Sequence, residues 1–261
     1  MHRTARQNKR MWQLKRDLIE REKGWYSKAS GREGRLLPQR HHFAHDWVRS
    51  RLYGTLVDLG CRSSSLILEL GCGSGGDTVH TSKISPNVVG IDVADAALKA
   101  FSAKGFESVL GDATTLPFRN QSFDYVIASA LLHHLAAQAD LGGCLAEFAR
   151  VTRRGGYVVA LEPNVFSPSG LLVNVFNTIR PGITGLVPHE RALSPLHLER
   201  VFRKAGLVHV RCVAASYVWN RFPLAISRFI SEHENSVRER KPFNLFGWFE
   251  IVYGQKMDVQ A

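Results

Sequence analysis

The chain has 261 residues, 44% of them apolar and 22% charged, with four cysteines. A domain of this length buries roughly three quarters of its unfolded surface, and the composition excludes a disordered chain, a collagen-like repeat and a disulfide-stapled miniprotein. The formal net charge of +11 is uneven: residues 1–51 hold 14 Lys+Arg against 5 Asp+Glu, residues 63–148 hold 4 against 9, and residues 149–261 hold 15 against 8. A mildly acidic middle therefore lies between two basic flanks. A basic arm suits nucleic acid, an anionic membrane surface or a phosphorylated substrate, or it is simply a solvated helical extension. No run reaches the ~18 apolar residues of a membrane span. No apolar stretch follows the basic start Met1–Arg6, and Cys61, Cys72, Cys144 and Cys212 form no C-x-x-C pair. The expectation is a cytoplasmic protein with neither a metal knuckle nor a disulfide framework.

In chain order, Met11 to Glu22 reads as a charged helix and Gly24 to Pro38 as a loop. His41 to Leu59 reads as an amphipathic helix, with Phe43, Trp47, Leu52, Leu56 and Leu59 at helical spacing. Short apolar runs then alternate with helical stretches. Leu66–Leu70 is a strand, Gly71–Gly76 a glycine-rich turn and Asp77–Ile84 a helix. Val88–Asp92 is a second strand, Asp95–Lys104 a helix and Glu107–Leu110 a third strand. Phe123–Ala128 is a fourth strand, Leu141–Thr152 a helix and Tyr157–Leu161 a fifth strand. This alternation predicts an α/β fold with a doubly wound, mostly parallel sheet. Glu162 to Pro188 is too long for an ordinary connection and is either a functional lid or carries helix of its own. Ser194-Pro195 opens a helix, with Ser194 as N-cap, and Gly206 closes it. Val208–Val218 and Phe249–Tyr253 read as final strands, separated by an irregular, aromatic-rich segment Trp219–Gly247.

The strongest motif is Glu69-Leu70-Gly71-Cys72-Gly73-Ser74-Gly75-Gly76, directly after the first strand. Glycines there let the backbone turn tightly and approach a ligand closely. Gly71, Gly73 and Gly76 also satisfy the dinucleotide spacing, and Asp92 follows Gly71 by 21 residues, as an NAD ribose carboxylate would. Two further acids separate the readings. Glu69 ends the first strand and Asp112, in Leu110-Gly111-Asp112-Ala113, follows the third. A pyrophosphate is repelled by such a set. A ligand with ribose hydroxyls, an adenine amine and a positive charge, but no phosphate, is not: S-adenosylmethionine fits.

With Val89-Gly90-Ile91-Asp92, Gly111–Phe118, Phe123–Ser129, Leu132-His133-His134-Leu135 and the run Glu147–Glu162, the chain resembles class I S-adenosylmethionine-dependent methyltransferases. Within that family it is most like the small-molecule branch that includes quinone-, sterol- and glycan-methylating enzymes. The resemblance covers residues 64–161 well and 194–256 loosely. It implies a seven-stranded Rossmann-like sheet with its last strand antiparallel, an N-terminal helical extension and a substrate-side lid insertion. The corresponding organisation is a basic extension over 1–62 and a methyltransferase domain over 63–261. That domain divides into a cofactor-binding core (63–162), substrate-side insertions (163–247) and a C-terminal strand and tail (248–261).

The resemblance also implies roles. The backbone of Gly71, Cys72 and Gly73 passes under the methionine part, and Glu69 lies near its ammonium. Asp92 accepts from the ribose hydroxyls and Val93 packs on the adenine. Asp112 accepts from the adenine amine beside Ala113, and Ser129 faces the sulfonium. Asp124 is expected to orient its strand rather than bind ligand. Methyl transfer needs a general base only when the acceptor loses a proton. The candidates are His133, then His189 beside Glu190, and of the neighbours His133 and His134 at most one should face the cleft.

Absences narrow the acceptor. The position after the fourth strand reads Ala128-Ser129-Ala130-Leu131, not Asn/Asp-Pro-Pro-Tyr. Neither the fourth nor the fifth strand ends in a nucleophilic Cys, and the paired glutamates of protein-arginine methylation are missing. A small molecule is the expected acceptor, bulky, anionic or lipid-linked (a glycan or secondary-metabolite intermediate included), with Val165–Val187 and Tyr217–Ile230 either a lid over it or an interfacial surface for peripheral membrane contact. The alternatives are an RNA-modifying methyltransferase using the basic arm and an NAD(P)-dependent oxidoreductase.

Overall fold

The computed structural model describes residues 39–179 and 191–257. The expected helix Met11–Glu22 and loop Gly24–Pro38 lie outside the described residues, as do His189, Glu190 and the middle of the long insertion.

Helix α1 (Gln39–Asp58) precedes β1 (Ile67–Leu70), the short α2 (Thr78–Thr81), β2 (Val88–Asp92), α3 (Asp95–Ser102) and β3 (Glu107–Leu110). After these come β4 (Phe123–Ser129), α4 (Leu132–Gln138), α5 (Leu141–Val151), β5 (Thr152–Pro163) and α6 (Pro168–Ile179). The chain ends with α7 (Pro195–Lys204), β6 (Leu207–Ser216), α8 (Leu224–His233) and β7 (Phe249–Lys256). The strands form one seven-stranded sheet in the order β3-β2-β1-β4-β5-β7-β6. β1 pairs in parallel with β2 and β4, β2 with β3 and β4 with β5. β7 inserts antiparallel between β5 and β6, as expected of the last strand. Winding reverses between β1 and β4, and in such sheets the crevice outside those two strand ends receives ligands.

Strand alternation sends Leu68, Leu70, Val126, Ala128, Val158 and Ala160 to one face, where they pack with Leu145, Phe148 and Phe202 of α5 and α7. The opposite face carries Ile67, Val88, Ile127, Val159 and Ile251, covered by Val48, Leu52 and Leu56 of α1. Fully burying each such side chain contributes about 1.5–3 kcal/mol. The buried stripe of α1 is Ala44, Val48, Leu52, Thr55 and Leu56, one position on from the expected Phe43 and Trp47. Those two rings are only half-buried. Trp47 is turned toward a polar partner instead, its Nε1 donating to Glu234 Oε1 at 2.7 Å. Arg51 joins the same carboxylate at 3.1 Å, while Ser216 Oγ and the Tyr217 amide donate to its other oxygen, each at 2.9 Å.

Four local expectations change. The helix after the glycine loop is Thr78–Thr81 rather than Asp77–Ile84. Lys83 and Ile84 already make tightened i−3 bonds to His80 and Thr81, and Ser85 Oγ donates to the Ser65 carbonyl at 2.6 Å, pulling the chain toward β2. β5 starts at Thr152, five residues before the expected Tyr157. Ser194 precedes α7 as expected, but its side chain makes no capping bond. The segment Trp219–Gly247 is not wholly irregular, since it contains α8. Asp124 does orient its strand, accepting from the Leu66 amide at 2.7 Å and pairing with Arg153 at 2.9 Å.

Candidate cofactor and acceptor site

The register of β1, β2, β3 and β4 brings the strand-end residues singled out in the sequence to one edge: Leu70 opposes Ile91 and Ala128, and Asp92 opposes Leu110. The glycine loop hangs on β2, with the Gly71 and Cys72 amides donating to the Ile91 carbonyl at 2.8 and 3.2 Å. Gly71 and Gly73 take φ of 63° and 51°, the left-handed region in which a side chain is strained. A Cβ at Gly71 would sit 2.9 Å from Leu131 Cδ1, whereas at Gly73 it would point into open space. Gly73 thus presents bare backbone to the crevice. Cys72 is buried beneath the loop with Leu98 and Phe101, and burial beside Asp92 and Glu69 keeps its thiol protonated.

The Asp92 carboxylate is fixed by the loop it serves. One oxygen accepts from the Gly73 amide at 2.9 Å and the other from the Ala94 amide at 2.8 Å. Asp112 Oδ1 accepts from the Thr114 amide at 2.8 Å. Val93 is half-buried and Ala113 is buried. Ser129 ends β4 half-buried, just before Ala130 at φ 52°. Glu69 is fully enclosed and accepts from Thr78 Oγ1 at 2.8 Å. Burial, with the charge of Asp77 nearby, pushes its carboxyl up to about 8.

Three carboxyls thus share one strand edge. Two cations lie beside it: Lys104 reaches the Ser74 carbonyl at 2.7 Å, and Arg49 of α1 pairs with Asp77 at 2.6 Å. Bare backbone at Gly73, the amide-held carboxylate of Asp92 and the enclosed acid Glu69 suit a phosphate-free cation with a ribose, and S-adenosylmethionine meets that description.

On the other side of β4, His133 and His134 of α4 are both buried, with ring centroids 4.2 Å apart. His133 is distinguished by its partner: Nδ1 lies 2.7 Å from Glu162 Oε2. Glu162, the last acid of β5, also accepts from the amides of Leu131 (2.9 Å), Leu132 (2.6 Å) and His133 (3.3 Å). Sequence reasoning missed Glu162, although it carries the same signal as Glu69, an acid closing an apolar strand. Its register partner on β7 is Glu250. That carboxyl is held well above the usual carboxylate range by burial, and it accepts from Cys212 Sγ at 3.3 Å.

The residues beyond β5 are anchored by Asn164. Its Nδ2 donates to the Leu245 and Gly247 carbonyls at 2.8 and 2.9 Å, and its Oδ1 accepts from the Phe166 amide at 2.9 Å. From there α6 leaves the sheet with Leu171, Leu172, Val175, Phe176 and Ile179 exposed. Among the described residues no helix is long and apolar enough to cross a membrane.

Residues 68–160 match a protein family described as a methyltransferase domain. A tRNA (carboxymethyluridine(34)-5-O)-methyltransferase of Arabidopsis thaliana is 34% identical over 99 residues, 37% of this chain and 24% of that protein. A demethylmenaquinone methyltransferase of Staphylococcus aureus is 37% identical over 115 residues, 41% of this chain and 46% of that protein. The chain therefore spans less than half the length of these curated relatives. Among solved structures, a SAM-dependent methyltransferase of Thermotoga maritima superposes with a TM-score of 0.64 at 19% identity, covering 94% of this chain and 99% of that one. A phosphoethanolamine N-methyltransferase of Haemonchus contortus, in complex with S-adenosylhomocysteine, superposes with a TM-score of 0.56 at 16% identity, covering 83% and 57%. At these identities the structural matches speak for the fold.

Proposed function

We propose that the chain, whose residues 68–160 match a methyltransferase domain, is a class I, S-adenosylmethionine-dependent methyltransferase that transfers a methyl group to a small-molecule acceptor by in-line displacement. The observation that carries the reading is the Asp92 carboxylate holding the Gly73 amide at 2.9 Å, with Glu69 and Asp112 on the same edge. Asp92 receives the ribose hydroxyls, Val93 and Ala113 line the adenine, Asp112 accepts from its amine, and Gly71, Cys72 and Gly73 pass beneath the methionine part. Glu69 faces the ammonium, and Ser129 lies toward the sulfur. S-adenosylmethionine, when bound, supplies a methyl group on a cationic sulfur that leaves as a neutral thioether. The protein's own contribution is alignment and exclusion of water.

The acceptor side lies beyond β4 and β5. His133 is the base there, and His189, outside the described residues, is the second candidate. The charge-free, apolar outer face of α6 favours a bulky or lipid-like small molecule over a phosphate-rich polymer, which asks for cations. Calorimetry with S-adenosylhomocysteine and NAD tests the cofactor: micromolar binding of the first and none of the second is expected, and the reverse overturns the reading. A second reading rests on the basic first 51 residues and the tRNA-modifying relative. It requires RNA binding with a steep salt dependence that is lost on deleting residues 1–38.

A further inference from the structure

Resting on the methyl-transfer reading, we infer that Glu162 is a positioning residue. It holds His133 with its proton on Nδ1, so that Nε2 is the atom that takes a proton from the acceptor.

Glu162 is completely buried at the end of β5, and three backbone N–H groups of the Leu131–His133 turn converge on it. An ionised carboxylate only accepts hydrogen bonds, so the fourth contact, His133 Nδ1 at 2.7 Å, is a donor. An imidazole donating from Nδ1 carries its lone pair on Nε2. A hydrogen bond from one ring nitrogen to a carboxylate is how proteins set tautomer and ring direction.

The groups around the pair agree. His134 lies against the His133 ring, and Glu250 opposes Glu162 in the β5–β7 register. Cys212 of β6 donates to Glu250, and Glu199 of α7 adds negative potential at Glu250. Burial, with Glu162 and Glu199 nearby, holds the Glu250 carboxyl well above the usual carboxylate range. The Glu250 Oε1 atom is buried without a hydrogen-bond partner.

A base is useful only to an acceptor that must lose a proton, which points to a hydroxyl or an acidified carbon as the reacting atom. For a hydroxyl, the O–H bonding pair stays on oxygen and the proton ends on Nε2. An oxygen pair forms the bond to the methyl carbon, and the methyl–sulfur pair remains on sulfur. The products are a methyl ether, the thioether S-adenosylhomocysteine and an imidazolium that returns its proton to solvent.

Long-range proton–nitrogen correlation on the full chain with ¹⁵N-labelled histidine reads the tautomer directly, with His133→Asn assigning the signals. At pH 8 the wild type is expected to show a protonated Nδ1 and a bare Nε2. In Glu162→Gln the new amide donates to Nδ1 and moves the proton to Nε2. A wild-type His133 carrying its proton on Nε2, or a tautomer unchanged in Glu162→Gln, overturns the inference. The wild-type spectrum decides even if that variant does not fold. S-adenosylhomocysteine calorimetry on the same samples separates the two ideas. Loss of binding by the wild type sinks methyl transfer, and the tautomer result stands apart from it.

Discussion

The two ends of the sheet hold their polar groups in different ways. From β3 to β4 two of the three carboxyls are held at the strand tips by the amides of short loops, Gly73 and Ala94 on Asp92 and Thr114 on Asp112, and only Glu69 is enclosed. From β5 to β6 the carboxyls are inside. Glu162, Glu234 and Glu250 are each at most 3% exposed, and the outer surface belongs to the apolar helix α6. The first arrangement is local and suits a ligand recognised by its backbone contacts. The second depends on elements far apart in the chain, and its insertions can differ without disturbing the sheet. This division matches a fixed cofactor and a variable acceptor.

The largest expected effect tests the buried half. Glu234 ties Trp47 and Arg51 of α1 to Ser216 and Tyr217 at the end of β6. Glu234→Ala leaves Arg51 as a largely buried, unpaired charge and should cost about 3–5 kcal/mol of stability in urea unfolding. S-adenosylhomocysteine affinity should be unchanged below the transition. A fall in affinity of similar size would erase the distinction between the halves.

Asp92→Ala tests the other half. It removes the acceptor for two loop amides and for the ribose. Charge-assisted hydrogen bonds contribute about 1.5–3 kcal/mol each, so S-adenosylhomocysteine affinity should fall about 100-fold. Stability should change less than for Glu234→Ala. Unchanged affinity in calorimetry would remove Asp92 from the site.

Glu69 gives a smaller, pH-dependent effect. Its folded carboxyl sits at about 8 against an ordinary 4.5, so between these values the folded state binds more proton than the unfolded. Stability then falls as pH rises through that window, by about 1.4 kcal/mol per unit at most. Glu69→Gln should flatten this slope. A cationic ammonium beside Glu69 should pull the carboxyl back down. Cofactor binding near pH 7 should therefore release close to one proton, seen as a buffer-dependent heat that Glu69→Gln abolishes. Equal heats in all buffers would place the ammonium elsewhere.

These halves were not equally legible in the chain. The strands β2 and β3 have the expected limits, and the glycine loop, Asp92 and Asp112 meet at one edge because each sits at a strand end, where position along the chain is nearly position in space. The acceptor side resisted. The helix α8 turns Ser227 and Ser231 inward, so apolar periodicity does not reveal it. The Glu162–His133 pair spans 29 residues and is made by the parallel pairing of β4 with β5, which no spacing rule encodes. Phe43 and Trp47 fitted a helical stripe, but the partner of Trp47 is a carboxylate 187 residues away.

The smallest expected effect bears on α6. Leu172 and Phe176 are 49% and 48% exposed, one helical turn apart on a helix without charge. If this face belongs to the acceptor or to a surface on which the acceptor is presented, the apolar side chains contribute little to folding. The double variant Leu172→Ser/Phe176→Ser should then change stability by no more than about 0.5 kcal/mol, as for other surface substitutions. S-adenosylhomocysteine affinity should stay the same. A loss of about 2 kcal/mol or more, the size of a core truncation, would mean that the helix face packs within the fold. The apolar surface would then be part of the buried half, and its assignment to the acceptor would have to be redrawn.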